Sequence, residues 1–305
     1  MLTLASLAPA ELAARLAAGA LLLRTGAFQV RLHSAIPAVA EGIGLLYGDY
    51  PLLPADGFAD FHLRLERPRG LRRWFKPQVR LLFDGQSLFQ ALPLQQAFPM
   101  FEWGLNWCIA NRAHRYLIIH AAVVERNGRA AILPAPPGSG KSTLCAALVH
   151  HGWRLLSDEL TLLRLEDGHA LPLPRPISLK NGSIPLLRAY LPGATLSAPV
   201  ADTLKGTLAH LRAPSASVAR GGESARPAWI VFPQYVAGAA PTLEALTPAR
   251  AHMRMAENAF NYSLLGRAGF DALAAVIDMS RHYLFRYGAL DDAVAAFATL
   301  AEAPP

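Results

Sequence analysis

Apolar side chains recur at every second position in Phe28 to His33, Asp60 to Leu65 and Val79 to Phe83, the period of a half-buried strand. Asp84-Gly85 follows the third run and signals a hairpin, which predicts a returning strand over Gln86 to Ala91. Pro9 to Ala18 and Phe101 to Ala110 read as helices. The opening hundred or so residues are thus expected to form a mixed α/β region, with a boundary near Asn111 that divides 1–110 from 111–305.

Beyond that boundary two apolar runs, Leu117 to Val124 and Arg129 to Pro134, flank Asn127-Gly128. A two-residue turn there pairs Arg126 with Arg129, and that register sets His120 opposite Ala135. Thr143 to His150 predicts a helix ending at Gly152, and Trp153 to Ser157 a buried strand. Prolines 172, 174 and 176 with Lys180-Asn181-Gly182 predict a long irregular crossing, as does the Gly/Ser/Arg-rich stretch from Ala213 to Pro227. Trp229 to Phe232 reads as a strand. Thr247-Pro248 starts a helix, with threonine as cap and proline at the first helical position, and the C-terminus is helical.

Composition narrows the function classes. A hydrophobic fraction of 52% and a charged fraction of 17% exclude a disordered chain. Glu11, Arg15, Arg24 and Arg31 interrupt the Ala/Leu-rich N-terminus, so it lacks the roughly 20 apolar residues of a membrane span. It carries no basic leader, and the expected compartment is the cytoplasm. Cys108 and Cys145 form no metal-spacing motif and read as small buried hydrophobes in a reducing environment. The net charge of +7 is mostly local. Arg67, Arg69, Arg72, Arg73, Lys76 and Arg80 fall in 67–80 with no acid between them, leaving the remainder near neutrality. Its Arg72-Arg73-Trp74-Phe75-Lys76 mixes cations with aromatics, and the segment reads either as a solvated loop or as a seat for an acidic partner, whether nucleic acid, an acidic peptide or an anionic surface.

One stretch carries recognisable chemistry. A phosphate-binding loop needs glycines so that backbone N–H groups converge on the anion, a lysine for the outer phosphates and a hydroxyl for magnesium. Ala135-Pro136-Pro137-Gly138-Ser139-Gly140-Lys141-Ser142 supplies all but the usual first glycine, which Ala135 replaces. The loop follows an apolar strand and opens a helix, where amides and dipole favour an anion. Pro137, Gly138, Ser139, Gly140, Lys141, Ser142 and Thr143 are the candidate ATP contacts.

Asp158-Glu159 is expected at the end of the next strand, and if that strand is parallel to the first, both acids reach the loop. One of the two carboxylates would then accept the proton of a hydroxyl nucleophile, while the other helps hold Mg2+ with Ser142. The alternative is a helix cap or solvated turn. His120 is either a satisfied core residue or a group that orients a carboxylate or phosphate. Lys180, Lys205 and His210 are open between contact and solvation. His150 and His151 point to different helix faces and are not a metal pair.

His120-Ala121, Asn127-Gly128, the loop through Ser142 and Gly152-Trp153-Arg154-Leu155-Leu156-Ser157-Asp158-Glu159 resemble the catalytic core of HPr kinase/phosphorylase. The resemblance is closer to the HprK-related kinase A group, and it covers about Leu117 to Leu160. It implies a mixed sheet flanked by helices, forming an HPr-kinase-like P-loop domain behind an N-terminal α/β accessory domain. It also implies catalysis by Asp158 as base, His120 beside it and Lys141 on the phosphates. Glu159 stands where the family has a second aspartate. Arg175-Pro176-Ile177-Ser178-Leu179-Lys180-Asn181, Lys205-Gly206-Thr207-Leu208-Ala209-His210 and Phe260-Asn261-Tyr262 carry looser likeness. The expected activity is transfer of the γ-phosphate of ATP to a serine or threonine hydroxyl of a protein or peptide, and a homo-oligomer is compatible with it. Rival expectations are a kinase of a small-molecule or polynucleotide hydroxyl, and a nucleotide-binding switch or scaffold.

Overall fold

A computed structural model describes residues 2–70, 72–136 and 138–302; Leu71, Pro137 and the side chains of Arg72 and Arg73 lie outside that description. Helix Pro9–Ala17 (α1) precedes a hairpin of Leu21–Thr25 (β1) and Phe28–Ser34 (β2). Helix Pro37–Leu46 (α2) carries the chain to Phe61–Glu66 (β3), which joins β2 in parallel. After the short helix Arg72–Phe75 (α3), Gln78–Phe83 (β4) pairs antiparallel with β3. The left-handed pair Asp84 and Gly85 makes the expected turn. The returning strand is only Gln86–Ser87 (β5), because the Ser87 hydroxyl bonds the Phe89 carbonyl and the chain leaves the edge. Leu92–Pro93 (β6) also pairs with β4, and helix Ala97–Arg112 (α4) follows.

Alternation decides which face of this sheet is covered. Val30, Leu32, Leu63, Leu65 and Leu81 point inward and are buried, while Arg31, His33, His62, Arg64 and Arg80 take the opposite face. Helix α4 lies against the inner face so closely that a Cβ on Gly104 would stand 2.0 Å from Leu81 Cδ2.

The second sheet positions the site. Its strands begin with Tyr116–Arg126 (β7) and Arg129–Pro134 (β8). Helix Lys141–His150 (α5), Arg154–Ser157 (β9), Leu160–Arg164 (β10) and Ala170–Leu171 (β11) come next. Ile177–Lys180 (β12), Val200–Thr203 (β13) and Gly206–Leu211 (β14) make a separate antiparallel sheet, with helix Ser183–Tyr190 (α6) between the first two. Thus the 172–182 crossing is not irregular throughout: β12 gives it a hydrogen-bonded partner in β14. The 213–227 stretch likewise holds a short helix, Ser215–Ala219 (α7). Arg226–Tyr235 (β15), Thr242–Ala245 (β16) and Arg281–Tyr287 (β17) complete the second sheet in the order β11-β10-β7-β8-β15-β17-β16. Strands β8, β15 and β17 are mutually parallel and the other pairings antiparallel, so the sheet is mixed.

Helices Pro248–Glu257 (α8), Tyr262–Leu265 (α9), Arg267–Asp278 (α10) and Leu290–Glu302 (α11) close the fold. Thr247 caps α8 by accepting from the Arg250 amide, as its position before Pro248 predicts. One hydrophobic cluster on one side of the second sheet holds Val124, Leu144 and Phe297 and continues into Phe101, Leu105 and Val39 of the first hundred or so residues. Another, with Ile119, Ile132, Ile230 and Leu273, covers the other side. Among the described residues no helix is long and apolar enough to cross a membrane.

Candidate functional site

Asn127 and Gly128, both left-handed at φ 55° and 77°, pair Arg126 with Arg129 and fix the β7–β8 register. The ladder runs to Ala121↔Pro134, one step short of the expected His120–Ala135 opposition, so His120 does lie beside the start of the loop. Ala135 is buried and keeps an ordinary negative φ, so the absent first glycine costs nothing there. The other two glycines are required. Gly138 and Gly140 sit at φ 88° and 86°, and a Cβ on Gly140 would meet Tyr287 Oη at 2.8 Å.

Two tyrosines at the ends of the parallel strands hold this loop. The Tyr235 amide donates to Ser139 O at 3.2 Å, and Tyr287 Oη donates to Gly140 O at 3.4 Å. Helix α5 then starts at Lys141 with its first amides free of intrahelical acceptors and directed at the loop. Lys141 is 7% exposed and its Nζ is buried without a hydrogen-bond partner among the described residues. Burial lowers its pKa, against the opposing pull of Asp158 and Glu159. An ammonium ion and an amide cluster so arranged make a strong anion seat.

Asp158 and Glu159 follow directly on the end of β9 at Ser157, as the sequence led us to expect, but the chain does not leave the sheet there. Strands β9 and β10 are two halves of one strand that runs antiparallel to β7 on both sides of the acids: Val123↔Ser157 precedes them and His120↔Leu160 follows. Val123↔Ser157 and His120↔Leu160 share one register across the acids, and that register is set by a one-residue shift within β9 between Val124↔Leu155 and Val123↔Ser157. Because β8 is also antiparallel to β7, β9 and β8 run the same way with β7 between them. The acids therefore approach the loop from a mid-strand break.

Their environments differ. Asp158 is 5% exposed, and its Oδ2 accepts the Ser178 amide at 3.1 Å. Burial, then the Glu159 charge, push its pKa up to about 6, against Lys141, the Ser178 amide and the Ser142 hydroxyl. Its Oδ1 is unpartnered among the described residues. For Glu159 the upward push of burial is outweighed by Lys205, Lys180, Lys141 and Arg175, and its pKa falls below the usual carboxylate range. Asn106 of α4 donates to its Oε2.

Behind Asp158 a polar cavity of about 20 Å³ is lined by Asn106, Arg175, Ser178 and His210, a size and lining that suit one buried water. Arg175 is clamped there by Glu102 and Asn106 of α4.

In front of Lys141 lies an open cavity of about 410 Å³, within the range of small-ligand sites. Gly138, Ser139, Gly140, Ser142 and Thr143 line it with His120, Glu159 and Lys180. Of the expected loop contacts, only Pro137 lies outside the described residues. Burial and then Lys141 lower the His120 pKa to about 4, so the ring is neutral at pH 7. It packs on Phe260, 5.9 Å between centroids, and its backbone amide donates to Asn258 O.

Lys180 closes β12 at the cavity wall. Lys205 lies over the Trp103 ring at 5.6 Å and acts on Glu159 from the β13–β14 turn. His210 is buried, with burial lowering its pKa. His150 and His151 engage the carbonyls of Ala146 and Ala147, and both cysteines are buried and free.

Sequence reasoning gave no role to Arg175, Asn106, Glu102 or the two tyrosines. The polar Glu102 and Asn106, one turn apart in an apolar helix, were the available signal. Among the described residues no group of three or more His, Cys, Asp or Glu side chains is arranged for a metal. Ser142 and Glu159 nonetheless offer two hard oxygen donors on one cavity, which suits magnesium, an ion that uses few protein ligands beside phosphate and water.

The fold and site define a mixed α/β protein whose helix-flanked mixed sheet presents a glycine loop and two carboxylates to one region. No family model matches the chain, and no curated protein matches it.

Proposed function

We propose that this protein is an HPr-kinase-like P-loop kinase that transfers the γ-phosphate of ATP to a serine or threonine hydroxyl of a protein or peptide. The observation that carries the reading is a buried lysine ammonium and a buried carboxylate oxygen, both unpartnered among the described residues, next to a left-handed glycine loop.

In this reading the amides of the loop and of the first turn of α5 bind the phosphates, and Lys141 neutralises the outer ones. Asp158 takes the proton of the acceptor hydroxyl. Its pKa of about 6 leaves it ionised at pH 7 yet basic enough to be useful, the balance a general base requires. Ser142 and Glu159 would hold magnesium, which supplies charge neutralisation on the transferred phosphoryl group. His120, neutral at that pH, offers a ring nitrogen beside the loop without adding charge. The cytoplasm is the compartment this chemistry implies.

The test measures ATP affinity and phosphoryl transfer on one preparation of Asp158→Asn, with mixed protein, peptide, small-molecule and nucleic-acid acceptors. Retained affinity with transfer reduced at least roughly a hundredfold supports the base assignment. Near-normal transfer removes it. Nucleotide binding by the wild type with no acceptor phosphorylated would instead make the protein a switch or scaffold.

A further inference from the structure

The outer face of the first sheet is charged in a way the loop chemistry does not use. Strand pairing sets Arg31 beside His62 and His33 beside Arg64, and Glu66 opposite Arg80. Arg67 and Arg69 follow directly where the chain leaves β3. Together these residues line an open groove of about 1010 Å³ with five arginines and one acid.

The arginines are not equivalent. Arg31 is committed, donating to the carbonyls of Ala55 and Gly57. Arg64 and Arg80 both close on Glu66, Arg64 at 2.9 Å. Arg67 and Arg69 are exposed and have no hydrogen-bond or ion-pair partner among the described residues. The groove therefore already contains one seat where a carboxylate sits between two guanidinium groups, and two further cations beside it without a counter-ion.

We propose that this groove is a docking surface for an acidic, extended segment of a partner protein, rich in Asp and Glu. Charge complementarity selects a polyanion, and Glu66 between Arg64 and Arg80 displays the geometry of carboxylate capture. The lining selects peptide over single-stranded nucleic acid. Its described residues include no Phe, Tyr or Trp, and the imidazoles of His33 and His62 are the only ring platforms it offers a base. The groove is also larger than most small ligands require. Arg67, Arg69 and Arg80 of the 67–80 segment thus share this groove with Arg31 and Arg64 from outside it. This inference stands apart from the kinase reading and would survive its failure.

The experiment follows the fluorescence anisotropy of a fluorescein-labelled peptide of alternating Glu and Ser, and of a labelled oligouridylate of equal charge, over a salt series. Wild type is expected to bind the peptide more tightly than the RNA. Arg67→Gln with Arg69→Gln, at exposed and unpartnered positions, should weaken peptide binding roughly tenfold at low salt and flatten its salt dependence. The control is Arg267→Gln with Arg281→Gln, which removes the same charge from exposed sites elsewhere and should leave binding unchanged. Unchanged binding in the groove variant, or equal loss in the control, overturns the surface. Tighter binding of the oligouridylate overturns the peptide assignment.

Discussion

Asp158 and Glu159 are neighbours in the chain, yet the region on the loop side of the strand break raises one carboxylate to a pKa of about 6. The region toward α4 and the β13–β14 turn holds the other below its usual range. Burial pushes both upward, so burial does not distinguish them. Cation supply does: Glu159 answers to Lys205, Lys180, Lys141 and Arg175, whereas Asp158 has Lys141 as its chief cation and Glu159 itself as an adverse neighbour. In the proposed kinase reading, two identical functional groups would thereby divide the duties of a base and a metal ligand.

Removing Lys141 should disturb both regions at once and gives the largest expected effect. Its charge acts on both acids. Lys141→Ala should abolish phosphoryl transfer and weaken ATP at least tenfold in a titration of binding heat; wild-type transfer would end the phosphate-loop reading. A smaller change sharpens the contrast. Since Glu159 raises the Asp158 pKa, Glu159→Gln should move the acidic limb of the kcat/KM profile from about pH 6 toward lower pH, whatever happens to its height. A limb that stays at pH 6 would show that the charges are uncoupled.

Stability offers the mildest test. The folded pKa of Asp158 lies above its unfolded value, so its contribution is fully present below the ordinary carboxylate range and is lost as the pH rises through about 6. Asp158→Asn carries no such loss. Its Tm should exceed that of wild type by roughly 5 °C at pH 8 and show no such gain at pH 4. An equal Tm difference at both pH values would assign the effect to packing.

The loop was legible because its chemistry is local: consecutive residues supply glycines, lysine and hydroxyl. His120 was legible because Asn127-Gly128 fixes a register that extends along β7. The strand break was not. A bend that resumes the same register leaves no periodic trace, and Leu160 to Arg164 differs little in composition from any other strand. The cations around Glu159 were invisible for a different reason, since Lys141, Arg175, Lys180 and Lys205 come from separate segments that only the tertiary fold assembles. The basic segment was legible in charge but not in shape, because the pleat of β2 and β3 decides which arginines share its face.

Arg175 takes both Glu102 and Asn106 from α4, and Asn106 also donates to Glu159. A gene fragment beginning after Arg112 would still encode the whole loop and both carboxylates, and a foreign N-terminus that covered Arg175 without a carboxylate would leave it a buried guanidinium stripped of its counter-ion. Losing one partner of such a pair costs about 3–5 kcal/mol, a large share of what keeps a domain folded. Recombination that shuffled the glycine-loop half onto a foreign N-terminus would have to carry Glu102 and Asn106 with it, so the heritable unit here is larger than its motif.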